Sequence, residues 1–324
     1  MLLLLECLLL VACAPTPRAS VSVAEPVLAR SHFVASDGMV LPVRAWWPAA
    51  GSLRAIVVAL HGFNDYARAF AQPGEALSQR GIAVVAYDQR GFGNTPGRGF
   101  WAGTDTYIAD LRAVVGQLHQ RHPGVPVVVL GESMGGAVAI AALTAPDPPN
   151  VQGVILSAPA VWSRDMMPWY QRAVLALAST TLPDLELTGR GLKIQASDNI
   201  AMLRGLGRDP LVIKATRVDA IEGLTDLMDI AQQRAGQIKG PVLVLYGAKD
   251  QVIPKRPVGA MLEKLASRPD VRFVYYPNGY HLLLRDLQAN LPLADIAAWI
   301  DQSVGHLPSG FEKPLVAAQL SGDE

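Results

Sequence analysis

The apolar residues of this chain fall into short, nearly unbroken runs. Ala55–Leu60, Ile82–Tyr87, Val127–Leu130, Val151–Leu156, Val242–Tyr246 and Val271–Tyr276 are the clearest. Runs this short and this apolar suit strands buried on both faces, as in a parallel sheet. Between them, polar and apolar positions mix at helical spacing. From Thr104 to about Arg121, Tyr107, Leu111, Val114 and Leu118 recur every three or four positions, marking one face of a long helix. A helix-like stretch ends at Arg80-Gly81, where glycine is a stop signal. Further helices are expected from Gly135 to about Leu143, near 256–267, and from about Leu282 to Val304. Ahead of the first run, Phe33–Ser36 and Met39–Trp46 flank Asp37-Gly38, a favoured two-residue hairpin turn. Strands alternating with helices predict an α/β protein whose central sheet is mostly parallel, with helices on both faces.

The alternation breaks once. Between Ala160 and about Gln237 there is no convincing strand, only helical and loop patterns with prolines at 168, 183 and 210. A stretch of about 75 residues is too long for a connecting loop, so a helical subdomain is expected there. The resulting layout is a core formed by 31–159 and 238–305, a helical cap at 160–237 and a loose tail at 306–324.

Composition adds mainly exclusions. With 324 residues, 50% hydrophobic and 17% charged, the chain is globular and has ample core for a large α/β unit. Lys+Arg and Asp+Glu stand at 28 each and no basic stripe is present, which leaves no electrostatic footprint for nucleic acid. Both cysteines, Cys7 and Cys13, lie near the N-terminus, so the folded part is expected to hold no disulfide, thiol chemistry or cysteine-based metal site. His119-x-x-His122 would bring two imidazoles together on a helix, but it falls at a helix end before Pro123 and is a weak metal signal.

Chemistry is concentrated behind the strands. Val127–Leu130 runs directly into Gly131-Glu132-Ser133-Met134-Gly135 and an Ala/Gly-rich helix, the sequence form of a nucleophile elbow. The tight turn holds the serine hydroxyl outward in a strained backbone position, and glycines 131 and 135 let strand and helix approach. A serine hydroxyl needs a base to take its proton and a carboxylate to orient that base. Behind such an elbow the partners follow in the order Asp or Glu, then His, each in the loop after a later strand. Asp250 is the only carboxylate in the loop after Val242–Tyr246, and His281 the only histidine in the loop after Val271–Tyr276. Either alone could be bland, a helix-capping aspartate or a surface histidine. Together, at the two designated loops, they would require two coincidences. His306 follows the last helix, where nothing positions it. The oxyanion hole should combine the Met134 amide with one from His61-Gly62-Phe63, Phe63 being the expected donor. His61 precedes the serine and is read as shaping its loop.

In these residues the chain resembles the monoacylglycerol lipase and lysophospholipase group of α/β-hydrolases, serine aminopeptidase-like hydrolases, over roughly residues 30–305. The matching residues are His61-Gly62-Phe63, Asp88-Gln89-Arg90-Gly91-Phe92-Gly93, Gly131-Glu132-Ser133-Met134-Gly135-Gly136, Asp250 and His281. The resemblance implies an α/β-hydrolase fold with a helical cap insertion, and a Ser133-His281-Asp250 triad that cleaves carboxylic esters without a cofactor or metal. It also implies a small lipid ester as substrate and a structural role for Asp88 and Arg90. In that family the cap binds the acyl chain. Here it opens with Trp162, Met166, Met167, Pro168, Trp169 and Tyr170. Of these, Trp162, Met166, Met167 and Trp169 are candidate substrate contacts, and they would serve equally as the cap's own small core. Dehalogenases and epoxide hydrolases of this fold carry Asp at the elbow. Proline iminopeptidases, generic carboxylesterases and cofactor-free haloperoxidases keep the serine triad and stay open. So does a surface lipoprotein that uses the fold as a binding or scaffold module.

The first thirteen residues are nearly all apolar, too few for a membrane span and suited to a signal-peptide core. Leu10-Val11-Ala12-Cys13 resembles a bacterial lipobox, in which the cysteine is acylated and becomes the new N-terminus. Residues 14–30 are Pro/Ala/Ser-rich, as a tether would be. Against this, Glu6 interrupts the apolar core and no Lys or Arg precedes it, so an ordinary cleaved leader is the alternative. The expected location is the bacterial cell envelope, lipid-anchored or periplasmic, and the resemblance to bacterial lipoproteins implies the outer membrane, since Ala14 and not Asp follows the cysteine. A radioactive fatty acid fed to expressing cells should label the wild type and leave Cys13→Ser unlabelled. Label persisting in the variant would exclude Cys13 as the acceptor.

Overall fold

The computed structural model describes residues 24–189, 191–301 and 305–315. In chain order its strands are β1 (Val27–Leu28), β2 (His32–Val34), β3 (Val40–Trp46), β4 (Ala55–Leu60), β5 (Ile82–Tyr87), β6 (Val127–Glu132), β7 (Gly153–Ser157), β8 (Glu186–Thr188), β9 (Ala215–Arg217), β10 (Val242–Gly247), β11 (Val271–Tyr276) and β12 (Glu312–Lys313). Its helices are α1 (Ala71–Ser78), α2 (Thr104–Arg121), α3 (Met134–Leu143), α4 (Trp169–Thr181), α5 (Ile200–Arg208), α6 (Val218–Arg234), α7 (Lys255–Leu265) and α8 (Asn290–Ile300).

Ten strands form one sheet in the order β1-β2-β3-β5-β4-β6-β7-β10-β11-β12. The central strands from β5 to β11 run parallel. The edges are antiparallel. Every residue of β4, β5, β6, β7 and β10 is buried. Their runs lack alternation because both faces are covered. Odd and even positions nevertheless serve different cores. Ile56, Val58 and Leu60 of β4 pack with α2, α3, α6 and α7, whereas Ala55, Val57 and Ala59 pack with α1 and α8. All the parallel strands point their C-terminal ends to the same edge, where open α/β sheets bind ligands.

The structure departs from expectation at four places. The inserted segment is not wholly helical, since β8 and β9 pair antiparallel with Leu187 opposite Thr216. Each is three residues long and β8 is exposed throughout, so neither shows a burial pattern. The C-terminal helix does not begin near Leu282. A single 3-10 turn at Leu283–Arg285 comes first, and α8 starts at Asn290. Pro292 in its first turn, where no intrahelical N–H is needed, suits that start. The stretch expected as a tether contributes β1 at its end, paired with β2 through Leu28 opposite Phe33. The stretch expected as a tail contributes β12, paired with β11 through Lys313 opposite Phe273. The leader, Cys13 and the tether up to residue 23 lie outside the described residues.

The elbow depends on two missing side chains. A Cβ on Gly135 would lie 2.1 Å from the Leu60 carbonyl oxygen, and one on Gly131 would lie 2.4 Å from the Gly135 carbonyl oxygen. Helix α3 therefore rests directly on the backbone of β4 and β6. Gly135→Ala should cost about 1–3 kcal/mol or more through forced overpacking, read as a lower thermal midpoint. An unchanged midpoint would show that the elbow has room to spare.

Candidate active site

Ser133 ends β6 and caps α3 with φ 55° and ψ −116°. It is one of three described non-glycine residues at positive φ, the others being Asn64 and Ala158. Such a conformation is strained for a residue with a Cβ and persists only where the surroundings impose it. Here the Ser133 amide donates to the Ser157 carbonyl at 3.0 Å, and its own carbonyl accepts from the Ala160 amide at 2.9 Å. Ser157 is the last residue of β7 and Ala160 follows it, so the next strand over pins the elbow.

His281 and Asp250, the expected base and orienting acid, come from the loops after β11 and β10. His281 Nδ1 donates to Asp250 Oδ2 at 2.8 Å. The other oxygen, Asp250 Oδ1, accepts the amides of Val252 at 2.7 Å and Ile253 at 3.0 Å. The carboxylate is thus locked, and the Nδ1–H tautomer leaves the Nε2 lone pair free to accept a proton. Both side chains are buried. Burial pulls the His281 pKa down, but the Asp250 charge and hydrogen bond outweigh it and hold the pKa above the ordinary histidine value. Ser133 and His281 form no hydrogen bond with each other here. Such contacts often tighten only when substrate is bound.

The oxyanion loop packs against the elbow. A Cβ on Gly62 would lie 3.3 Å from the Ser133 Cβ, so the glycine lets Phe63 follow close by. Among the described residues, neither the Phe63 nor the Met134 amide has a hydrogen-bond acceptor, as donors reserved for a developing anion should be. His61 is fully engaged elsewhere. Its Nδ1 donates to the Gly62 carbonyl at 2.8 Å, and its Nε2 accepts the Gln89 amide at 2.9 Å. Burial pushes its pKa down, so it is a neutral strut between loops. Asp88 accepts the amides of Ala67 and Asn94. Arg90 pairs with Asp37 and Asp110, far along the chain from the reacting groups.

The candidate substrate contacts divide. Trp162 and Met167 are half-buried and pack against the main core, and the Trp162 indole N–H points to the Met166 carbonyl at 3.5 Å. Trp169 is 73% exposed. Trp169 opens α4, a helix with no buried residue. His119 engages the Asn150 carbonyl, and the His122 ring lies 5.0 Å from Trp47.

Three features escaped the sequence. Trp101 and Phe92 flank Phe63, with ring centroids 6.4 and 5.5 Å away. Arg285 bridges Asp65 and Glu132. Residues 196–199 of the cap are stitched to the histidine loop: the Leu282 amide donates to the Ala196 carbonyl at 2.9 Å. Ser197 Oγ donates to Asp286 at 2.5 Å, the Leu287 amide to Asp198 at 2.8 Å, and Asn199 to the Arg285 carbonyl at 3.0 Å. Phe92 and Glu132 lie within segments that the sequence singles out, but nothing in the sequence points to these partners.

Known proteins share this architecture. The profile of the family described as serine aminopeptidase, S33, matches residues 51–288. A monoacylglycerol lipase of Mycolicibacterium smegmatis is 30% identical over 288 residues, covering 85% of this chain and 97% of its own. A monoglyceride lipase of Rattus norvegicus is 27% identical, covering 84% and 90%. The crystal structure of a Paleococcus ferrophilus monoacylglycerol lipase matches with a TM-score of 0.68 at 25% identity, covering 81% of this chain and 98% of that one.

A base must be unprotonated to work, so activity should fall as pH drops through the His281 pKa. Because Asp250 raises that pKa, the acid limb of kcat/KM should lie above pH 6.5, the ordinary histidine value. Asp250→Asn removes the raising influence, so the limb should move to lower pH while kcat drops by about 10⁴. A limb that stays in place would exclude Asp250 as the partner of the base.

Proposed function

The chain belongs to the serine aminopeptidase S33 family of α/β-hydrolases, and from that premise we propose that it hydrolyses the carboxylic esters of monoacylglycerols or lysophospholipids through Ser133, His281 and Asp250. The observation that carries this reading is Ser133 in its strained elbow, beside two unpartnered amides, on the sheet edge that also bears the His281–Asp250 pair.

His281 Nε2 takes the Ser133 proton as Oγ attacks the ester carbonyl. The amides of Phe63 and Met134 receive the oxyanion, and loss of one such donor typically costs about 10²–10³ in rate. Asp250 stabilises the imidazolium formed. The tetrahedral intermediate collapses, the alcohol leaves with the proton from His281, and an acyl-serine remains. Water, deprotonated by His281, attacks that ester, and collapse returns the proton to Ser133 Oγ and frees the acid. Every proton is moved by one imidazole, so no cofactor enters.

Two observations favour a lipid ester over a small soluble one. The relatives named above are lipases of glycerides. The cap also turns an apolar side to solvent, with Trp169, Tyr170, Val174 and Leu177 of α4 all exposed. Surfaces of this kind mark contact with apolar matter. The same reading takes the enzyme to be held on the bacterial envelope by an acylated Cys13.

Ser133→Ala should abolish both p-nitrophenyl ester hydrolysis and labelling by a fluorophosphonate probe; retained activity would assign the nucleophile elsewhere. On a panel of monoacylglycerols, lysophospholipids, short esters and prolyl amides, the long-chain esters should give the highest kcat/KM. A preference for short esters would make this a carboxylesterase, and one for prolyl amides a peptidase.

A further inference from the structure

Arg285 is 5% exposed, yet it is not part of the triad. Its Nη1 donates to Asp65 Oδ2 at 2.7 Å and its Nη2 to Glu132 Oε1 at 2.6 Å. The chain positions of the three residues matter more than the distances. Glu132 immediately precedes Ser133. Asp65 lies two residues after Phe63. Arg285 lies four residues after His281, at the end of the 3-10 turn Leu283–Arg285. One guanidinium therefore touches the loop of the nucleophile, the loop of an oxyanion donor and the loop of the base. A planar fork can span two carboxylates in fixed directions, which a single ammonium cannot.

We propose that Arg285 is a positioning residue: by clamping Asp65 and Glu132 it fixes the Phe63 amide and Ser133 in register with His281. This rests on the reading of Ser133 and His281 as nucleophile and base. A buried ion cluster is weak evidence for stability, because well-packed apolar side chains often replace one without loss. Burial opposes the Arg285 charge, and the Glu132 and Asp65 carboxylates outweigh it. Its Nε is buried without an acceptor, so this side chain is held for the two bonds it makes rather than for full satisfaction. Arg90 provides an internal comparison. It too is buried between two carboxylates, Asp37 and Asp110, but it touches none of the three loops.

The test uses the full-length protein, with active sites titrated by a fluorophosphonate so that kcat refers to folded, competent enzyme. On a p-nitrophenyl ester, Arg285→Met should lower kcat by about 10²-fold, as small misplacements of reacting groups do, with KM nearly unchanged. Arg285→Lys keeps the charge but loses the fork, and Glu132→Gln keeps the shape and an acceptor oxygen. Each should lower kcat by about tenfold, which keeps the proposal testable if the methionine variant does not fold. Arg90→Lys should lower the melting temperature and leave kcat per titrated site at the wild-type value. If Arg285→Lys and Glu132→Gln also retain wild-type kcat per site, the cluster is structural and the proposal is overturned. A wild type that takes up no fluorophosphonate would overturn the nucleophile assignment and the clamp with it.

Discussion

The contact on which the site depends is the one between Gly135 and the carbonyl of Leu60, where no Cβ fits. Leu60 ends β4 and leads straight into His61-Gly62-Phe63. Gly135 lies in the first turn of α3, behind Ser133. One backbone contact therefore sets the distance between Ser133 and the Phe63 loop, before any side chain takes part. The close packing of Gly62 on the Ser133 Cβ is its continuation. Strain at Ser133 follows from the same constraint, since a helix seated this near two strands leaves the connecting residue no ordinary backbone conformation. The bonds from Ser133 to Ser157, at the end of β7, and to Ala160, just after it, hold that strain in place.

Charge is arranged in two tiers around this frame. Buried arginines hold the core loops: Arg285 between Asp65 and Glu132, and Arg90 between Asp37 and Asp110. Half-exposed ones hold the insertion. Arg164, at its entrance, pairs with Glu222, Asp226 and Asp229, which line one face of α6. Arg217 pairs with Asp184 and Asp219 and stacks over Phe100, its guanidinium carbon 4.3 Å from the ring centroid. Removing one partner of a buried pair strands a charge and costs about 3–5 kcal/mol, while exposed pairs contribute about 0–1 kcal/mol. A single substitution at Arg285 or Arg90 is therefore the more costly, whereas the pairs of the insertion are partly open to water.

This tiering also explains what could be read in the sequence. The parallel strands were legible because burial on both faces leaves an apolar run, and the elbow because its sterics leave no room for a Cβ at positions 131 and 135. Asp250 and His281 were legible because they follow such strands directly. Elements set by tertiary partners were not. β8 and β9 have no apolar pattern and exist by pairing with each other. Residues 280–287 cannot continue into α8 because Asp286 is engaged by Ser197 and by the Tyr280 amide. Arg285, Asp65 and Glu132 lie on three distant segments, and no spacing rule links them. Trp169 was open to two readings, a substrate contact or part of the cap's own core, and its exposure removes the second.

The cap is therefore two structures in mechanical terms. Its segment 196–199 is bound to the histidine loop by four hydrogen bonds, one of them between the buried Ser197 and Asp286. Asp286 in turn accepts the Tyr280 amide, next to His281, so this part of the insertion is joined to the backbone that carries His281. Helix α4 has no buried residue and thirteen positions, a length at which an isolated helix is marginal in water. Its order comes from the contact with α6 and from the Arg164 cluster at its base. Helix α4 thus presents apolar side chains to solvent, whereas segment 196–199 is tied to the loop of His281. One insertion therefore combines an apolar helix held by few contacts with a segment fixed to the core.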